Sequence, residues 1–162
     1  MKDQPEPISA KDADARLARI IAISVQLGFT GSVQYRHVYS QSGGAQYCIG
    51  PTADDDIMVV YAEAFEFDAD PEEYNLDAMI AHECGHQRII RNPKVRGIWA
   101  KFPSAAFEEV LASLVGAVLL GDTASARTLV WRAATELSDM GMPDSGAVLL
   151  VERVKHFLEE SP

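Results

Sequence analysis

The sequence predicts an α+β fold: an N-terminal helix, a three-stranded antiparallel sheet, two central helices and two C-terminal helices. Two observations carry this. From Gly31 to Phe67 the chain alternates short β-branched and aromatic runs with turn residues, whereas on either side apolar residues recur at helical spacing between capping residues. A length of 162 residues, with 48% apolar and 23% charged residues, fits one globular unit. Residues 1–8 are polar, carry Pro5 and Pro7 and read as a disordered lead, with the single domain spanning 9–162.

Ser9 offers an N-cap, and Leu17, Ile20, Ile21, Ser24 and Leu27 make one apolar face up to Gly28. Three strands follow, Ser32–Tyr39, Ala45–Ile49 and Ile57–Phe67, the first two joined through a Ser42-Gly43-Gly44 turn suited to a hairpin. Ile57 to Phe65 is apolar on both faces in its first half. After Pro71, Asn75 caps a helix to about Arg91, stopped by Asn92-Pro93. Ser104 caps the next, ended at Leu120 by Gly121; Asp122 or Thr123 opens another to about Met140, and Ser145 to Glu159 forms the last. Leu129, Ala133, Leu137, Val148, Val151, Val154 and Leu158 give the last two helices apolar faces that pack on the central helices or, as second choice, on another copy.

Charge excludes some functions. Fourteen Lys and Arg against 24 Asp and Glu leave a net charge of −10, which opposes nucleic acid and anionic lipid as partners. The two cysteines, Cys48 and Cys84, do not make a disulfide framework and suit a reducing compartment. The acidic N-terminus does not read as a secretory signal, and the most apolar windows, Ile20–Phe29 and Val110–Leu120, are short of the roughly 20 residues that span a bilayer. A soluble cytoplasmic protein is expected.

The chemistry lies in Met79-Ile80-Ala81-His82-Glu83-Cys84-Gly85-His86, a His-Glu-x-x-His motif inside a helix. At about 100° per residue the two histidines project about 40° apart, one turn along the axis, so their imidazoles can share one ion. Ala78, Met79, Ile80, Ile89 and Ile90 share their arc, while Asp77, Arg88 and Arg91 face the other way. Catalytic Zn²⁺ takes three protein ligands and keeps a position for water. The helix from Ser104 to Leu120 is apolar all round except for Glu108 and Glu109, and buried carboxylates attract a cation. Glu109 shares a stripe with the small residues Ala112, Ser113 and Gly116, which allows close approach to the His82 helix, so it is the candidate third ligand. Glu108 is the alternative ligand, or the acceptor that orients a histidine N–H.

These residues resemble the gluzincin pattern, His-Glu-x-Gly-His followed by Glu-x-x-Ala-Asp/Asn ahead of two leucines. His82, Glu83, Gly85, His86, Glu109, Ala112, Leu119 and Leu120 match it, and Ser113 stands where the pattern has Asp or Asn. The nearest group is the small ImmA/IrrE-type zinc peptidases, and the match covers residues 57–120. The resemblance implies a minimal zincin-like fold and a zinc metallopeptidase (a hydrolase) acting on a peptide or protein substrate. It also implies an edge strand, here Ile57 to Phe65, to which the substrate adds as one more strand. No winged or helix-turn-helix pattern is read in these residues, so the regulatory setting of those relatives is not expected to carry over. In the expected mechanism zinc activates a water and polarises the carbonyl, and Glu83, held beside the first histidine, is the general base. Tyr61, Tyr74, His37 and Arg88 are candidates to stabilise the oxyanion. The rival reading is a catalytically silent, zinc-stabilised binding or regulatory protein with an acidic surface.

Other residues read more plainly. Asp54-Asp55-Asp56 and the Asp68/Asp70 pair lack the spacing of a calcium loop and read as acidic turns. Cys84 is a small buried residue, Trp99 and Trp131 pack in the core or at an interface, and His156 is solvated.

Overall fold

The computed structural model describes residues 3–40, 43–66, 74–143 and 145–160. Its elements are α1 (Ala10–Gln26), β1 (Ser32–Arg36), β2 (Ala45–Cys48), β3 (Ile57–Tyr61), α2 (Leu76–Arg91), α3 (Pro93–Ala100), α4 (Ala105–Leu120), α5 (Ala124–Asp139) and α6 (Ser145–Glu160). The expected α+β class holds. Side chains of Ser9, Asn75, Ser104 and Thr123 each accept a first-turn backbone N–H, as capping chemistry requires.

The sheet is mixed rather than antiparallel. Its order is β1-β3-β2, with β1 parallel to β3 and β2 antiparallel to it. The expected hairpin between the first two strands is absent, because β3 lies between them; Ser42 of the proposed turn falls outside the described residues. β3 is therefore the central strand, not the edge. Met58, Val59 and Val60 are buried in succession, the pattern of a strand covered on both faces. The strands are also shorter than expected: after Tyr61 the chain turns into 3-10 helix at Ala62–Phe65, and Phe67, Asp68 and Asp70 lie outside the described residues.

α3 is a helix that the sequence reading passed over. Asn92 ends α2 and also caps α3, its side chain accepting from Lys94 and Val95 N–H, with Pro93 in the first turn. Proline there loses no hydrogen bond and presets φ. α4 runs through the interior, with Phe107, Val110, Leu111, Leu114 and Val115 buried. It packs on α2 on one side and on α5 and α6 on the other. Among the described residues no helix is long and apolar enough to cross a membrane.

Asp56 ties the sheet to the end of α2. It is fully buried and its carboxylate accepts from the Tyr47 hydroxyl (2.6 Å), Gly50 N–H (2.7 Å), Gln87 (2.9 Å) and the Arg91 guanidinium (2.7 Å). Asp54 and Asp55 form the exposed acidic turn that the Asp54-Asp55-Asp56 run suggests, and Asp56 is set apart from them by its burial. Burial by itself would raise its pKa, but Arg91, Tyr47, Gln87 and Gly50 together hold it well below the usual carboxylate range. A folded pKa below the unfolded value of about 4 stabilises the protein above that pH. This stabilisation is lost as pH falls below about 4 towards the folded pKa. Urea unfolding between pH 2.5 and 6 is therefore expected to show stability falling with acid, and Asp56→Asn to be less stable at pH 6 with a shallower acid slope. An unchanged slope would count against this role.

Candidate metal centre

α2 carries His82 and His86 one turn apart, both buried, with their rings in an edge contact (centroids 4.8 Å apart). Their Nε2 atoms are 3.2 Å apart. From α4, Glu109 reaches the same point: Oε2 is 2.8 Å from His82 Nε2 and Oε1 is 3.3 Å from His86 Nε2.

The crossing of α2 and α4 makes this convergence. A Cβ on Gly85 would stand 2.1 Å from the Ala112 carbonyl oxygen, and one on Gly116 would stand 2.6 Å from that of Ala81. Only glycine lets the two backbones come this close. Gly116 was legible as a small residue on the stripe; Gly85 is its counterpart on the motif helix.

The second ring nitrogens are also held. His82 Nδ1 lies 2.9 Å from Ser113 Oγ, and His86 Nδ1 lies 2.9 Å from Glu108 Oε2. With the proton on Nδ1, each ring donates to that oxygen and presents the Nε2 lone pair to the common point. Ser113 thus fills the orienting place where the gluzincin pattern has Asp or Asn. Glu108 sits behind His86, and Glu109 in front of both histidines.

The donor set fits a divalent cation. Ligand atoms held tetrahedrally at 2.0–2.1 Å are about 3.3 Å apart; the two Nε2 atoms are 3.2 Å apart, and one Glu109 oxygen stands 2.8 Å from the first and the other 3.3 Å from the second. His82, His86 and Glu109 form a group whose ligand atoms all lie within 4.8 Å of one another and which could hold a metal ion. The electrostatics agree. Burial disfavours charge on His86, but Glu109, with Glu83 and Glu108, outweighs it and raises its pKa, while hydrogen bonds from His82 and then His86 hold Glu109 well below the usual range. The cluster favours positive charge at its centre. Glu109 is not the buried carboxylate that the apolar helix suggests: its side chain is 56% exposed, towards the cleft.

That cleft, about 730 Å³, is bounded by β2, α2, α4 and α5 and lined by Tyr47, Tyr74, Glu83, Arg132 and Glu136 besides the triad. Glu83 lies beside the histidines. Burial raises its pKa, opposed by the charges of His82 and His86, and the Tyr47 backbone N–H bonds its carboxylate. Of the four oxyanion candidates, only Tyr74 lines the cleft, its ring edge against His82 (6.4 Å). Arg88 is spent on the Leu27 and Gly28 carbonyls, His37 on Tyr35 and the Glu6 carbonyl, and Tyr61 on Gln46.

Cys84 points into the core, where burial pushes its thiol pKa up to about 12, so it is no nucleophile at neutral pH. His156 is exposed and pairs with Glu160. Trp99 is half-buried, but Trp131 is 69% exposed and not a core residue. Tyr47, Arg132 and Glu136 are cleft residues that the sequence reading did not single out. They come from β2 and α5, distant in sequence from the motif, and nothing local marks them.

The chain matches no family model, no curated protein and no solved structure. What fold and site define is an α+β protein with a His-His-Glu group that could hold a metal ion.

Proposed function

We propose that this chain is a zinc-dependent peptidase of the zincin class, with His82, His86 and Glu109 holding the ion and Glu83 as general base. The observation that carries it is the meeting of two Nε2 atoms and one carboxylate beside a second carboxylate, Glu83, that is not among the candidate ligands. A bound zinc ion would act as a Lewis acid, lowering the pKa of water and polarising a carbonyl. Glu83, its basicity raised by burial, takes a proton from the attacking water and delivers it to the leaving amine. The Tyr47 N–H steadies that carboxylate, and the Tyr74 hydroxyl, kept protonated because burial raises its pKa, donates to the developing oxyanion.

Among the described residues no strand pairs with the outer side of β2, which takes the edge role that the resemblance sought in Ile57 to Phe65. Tyr61 N–H bonds the Gly44 carbonyl and Ala45, Gln46, Tyr47 and Cys48 stand opposite Val60, Val59, Met58 and Ile57. By antiparallel alternation the main-chain groups of Ala45 and Tyr47 therefore turn away from β3, towards the cleft. An extended peptide pairs there through Ala45 and the Tyr47 carbonyl.

Purified protein is expected to contain one zinc per chain and to cut members of a peptide library, with activity removed by chelator and restored by zinc. Glu109→Gln should lose the metal, whereas Glu108→Gln should keep it with about 10–100-fold weaker affinity. The reverse pattern would make Glu108 the ligand. Full zinc occupancy without any cleavage would leave the silent, metal-stabilised protein as the correct reading.

A further inference from the structure

Of the described residues that line the cleft, five are carboxylates, Glu63, Glu83, Glu108, Glu109 and Glu136, and Arg132 is the only Lys or Arg. Its guanidinium lies over the Tyr74 ring at 4.3 Å from the centroid. Among the described residues no carboxylate pairs with it, and its hydrogen-bonding fork is otherwise unused. Stacking fixes the plane of a guanidinium while leaving its five N–H donors free, which suits a planar anion bound by two parallel hydrogen bonds. Four of the five acids already have partners, and the fifth, Glu136, stands one turn on along α5 with no ion pair to Arg132 among the described residues. Glu108 and Glu109 bond the histidines, Glu63 accepts the Ser40 N–H and Glu83 accepts that of Tyr47.

We infer that Arg132 is a specificity residue that anchors a carboxylate of the peptide, either the chain terminus or an acidic side chain, close to the bond that is cut. This rests on the peptidase reading above. The distance follows from Tyr74, whose ring is 4.3 Å from the guanidinium and 6.4 Å from the His82 ring. The guanidinium thus lies no more than about 11 Å from His82, the length of three to four extended residues. A terminal carboxylate held there makes the protein trim a few residues from peptide ends. An acidic side chain held there makes it select internal acidic sites.

Zinc-loaded Glu83→Gln protein, which holds peptides without turnover, distinguishes these. Matched fluorescent peptides would be titrated by anisotropy: neutral with a free C-terminus, neutral and amidated, and amidated with one internal glutamate. A charge-assisted pair in a cleft predicts about 10–100-fold tighter binding of at least one carboxylate peptide over the neutral amide. Whichever carboxylate gives the advantage identifies the source. Adding Arg132→Met, with zinc content and Tm confirmed unchanged, should erase the difference, and Arg132→Lys should restore it in part. Equal binding of all three peptides, no binding of any, or an advantage that survives Arg132→Met overturns the inference. Cleavage by the unaltered protein without carboxylate preference sinks the anchor alone; carboxylate preference without cleavage sinks the peptidase reading and leaves the anchor standing.

Discussion

Glu83→Gln is expected to lower kcat for peptide cleavage by about 10²–10⁴-fold while leaving zinc content and KM nearly unchanged. Glutamine has the shape of glutamate and keeps an oxygen for the Tyr47 N–H that bonds residue 83. It lacks the basic oxygen that takes the proton from water in the proposed mechanism. Because Glu83 is outside the His82, His86 and Glu109 group, its replacement leaves the ion's ligands in place. Initial rates on a library-derived peptide, measured beside metal analysis of the same preparation, separate chemistry from binding. Activity within tenfold of the unaltered protein would remove Glu83 from the mechanism. Loss of zinc would make it a ligand instead.

Gly85→Ala is expected to destabilise the protein by about 3 kcal/mol or more, the upper range of overpacking costs. The new methyl would sit 2.1 Å from the Ala112 carbonyl oxygen, with the Ala112 carbonyl carbon and Cα at 2.8 and 2.9 Å. All three are backbone atoms of a buried helix, which cannot swing aside as a side chain does. Alanine's helix propensity returns at most about 1 kcal/mol. Gly97→Ala in α3 is the control, since nothing lies within 4 Å of its Cβ position; propensity acts there alone and should stabilise by up to about 1 kcal/mol. Thermal unfolding of the two variants should move Tm in opposite directions. If Gly85→Ala unfolds like the unaltered protein, the close helix crossing is wrong. A folded but zinc-free Gly85→Ala would show that the crossing sets the donor spacing.

The helices were legible because their signals are local. Ser9, Asn75, Ser104 and Thr123 bond backbone N–H groups three residues on, and no tertiary partner is needed to see that. α3 was hidden by a residue pair with two meanings: Asn92-Pro93 ends one helix and starts the next. Strand order was illegible because Gly43-Gly44 is as compatible with a long connection as with a hairpin. The uninterrupted run Met58-Val59-Val60 was the sign that β3 lies in the middle. In the site, the periodicity of α2 and the small stripe on α4 point to the residues that meet. Ser113 and Glu108 take up orienting positions that a helical wheel cannot resolve to an atom. Arg132 and Asp56 depend wholly on what the fold brings beside them, Tyr74 in one case and Arg91 in the other.

At the crossing of α2 and α4 the two backbones rest on each other, with no side chain between them at Gly85 and Gly116. Repacking the apolar layers elsewhere, beneath α1 or under α6, would thus alter how firmly the chain holds together without altering how tightly the His82, His86 and Glu109 group could hold an ion. Stability and metal affinity should drift independently across a library of such variants.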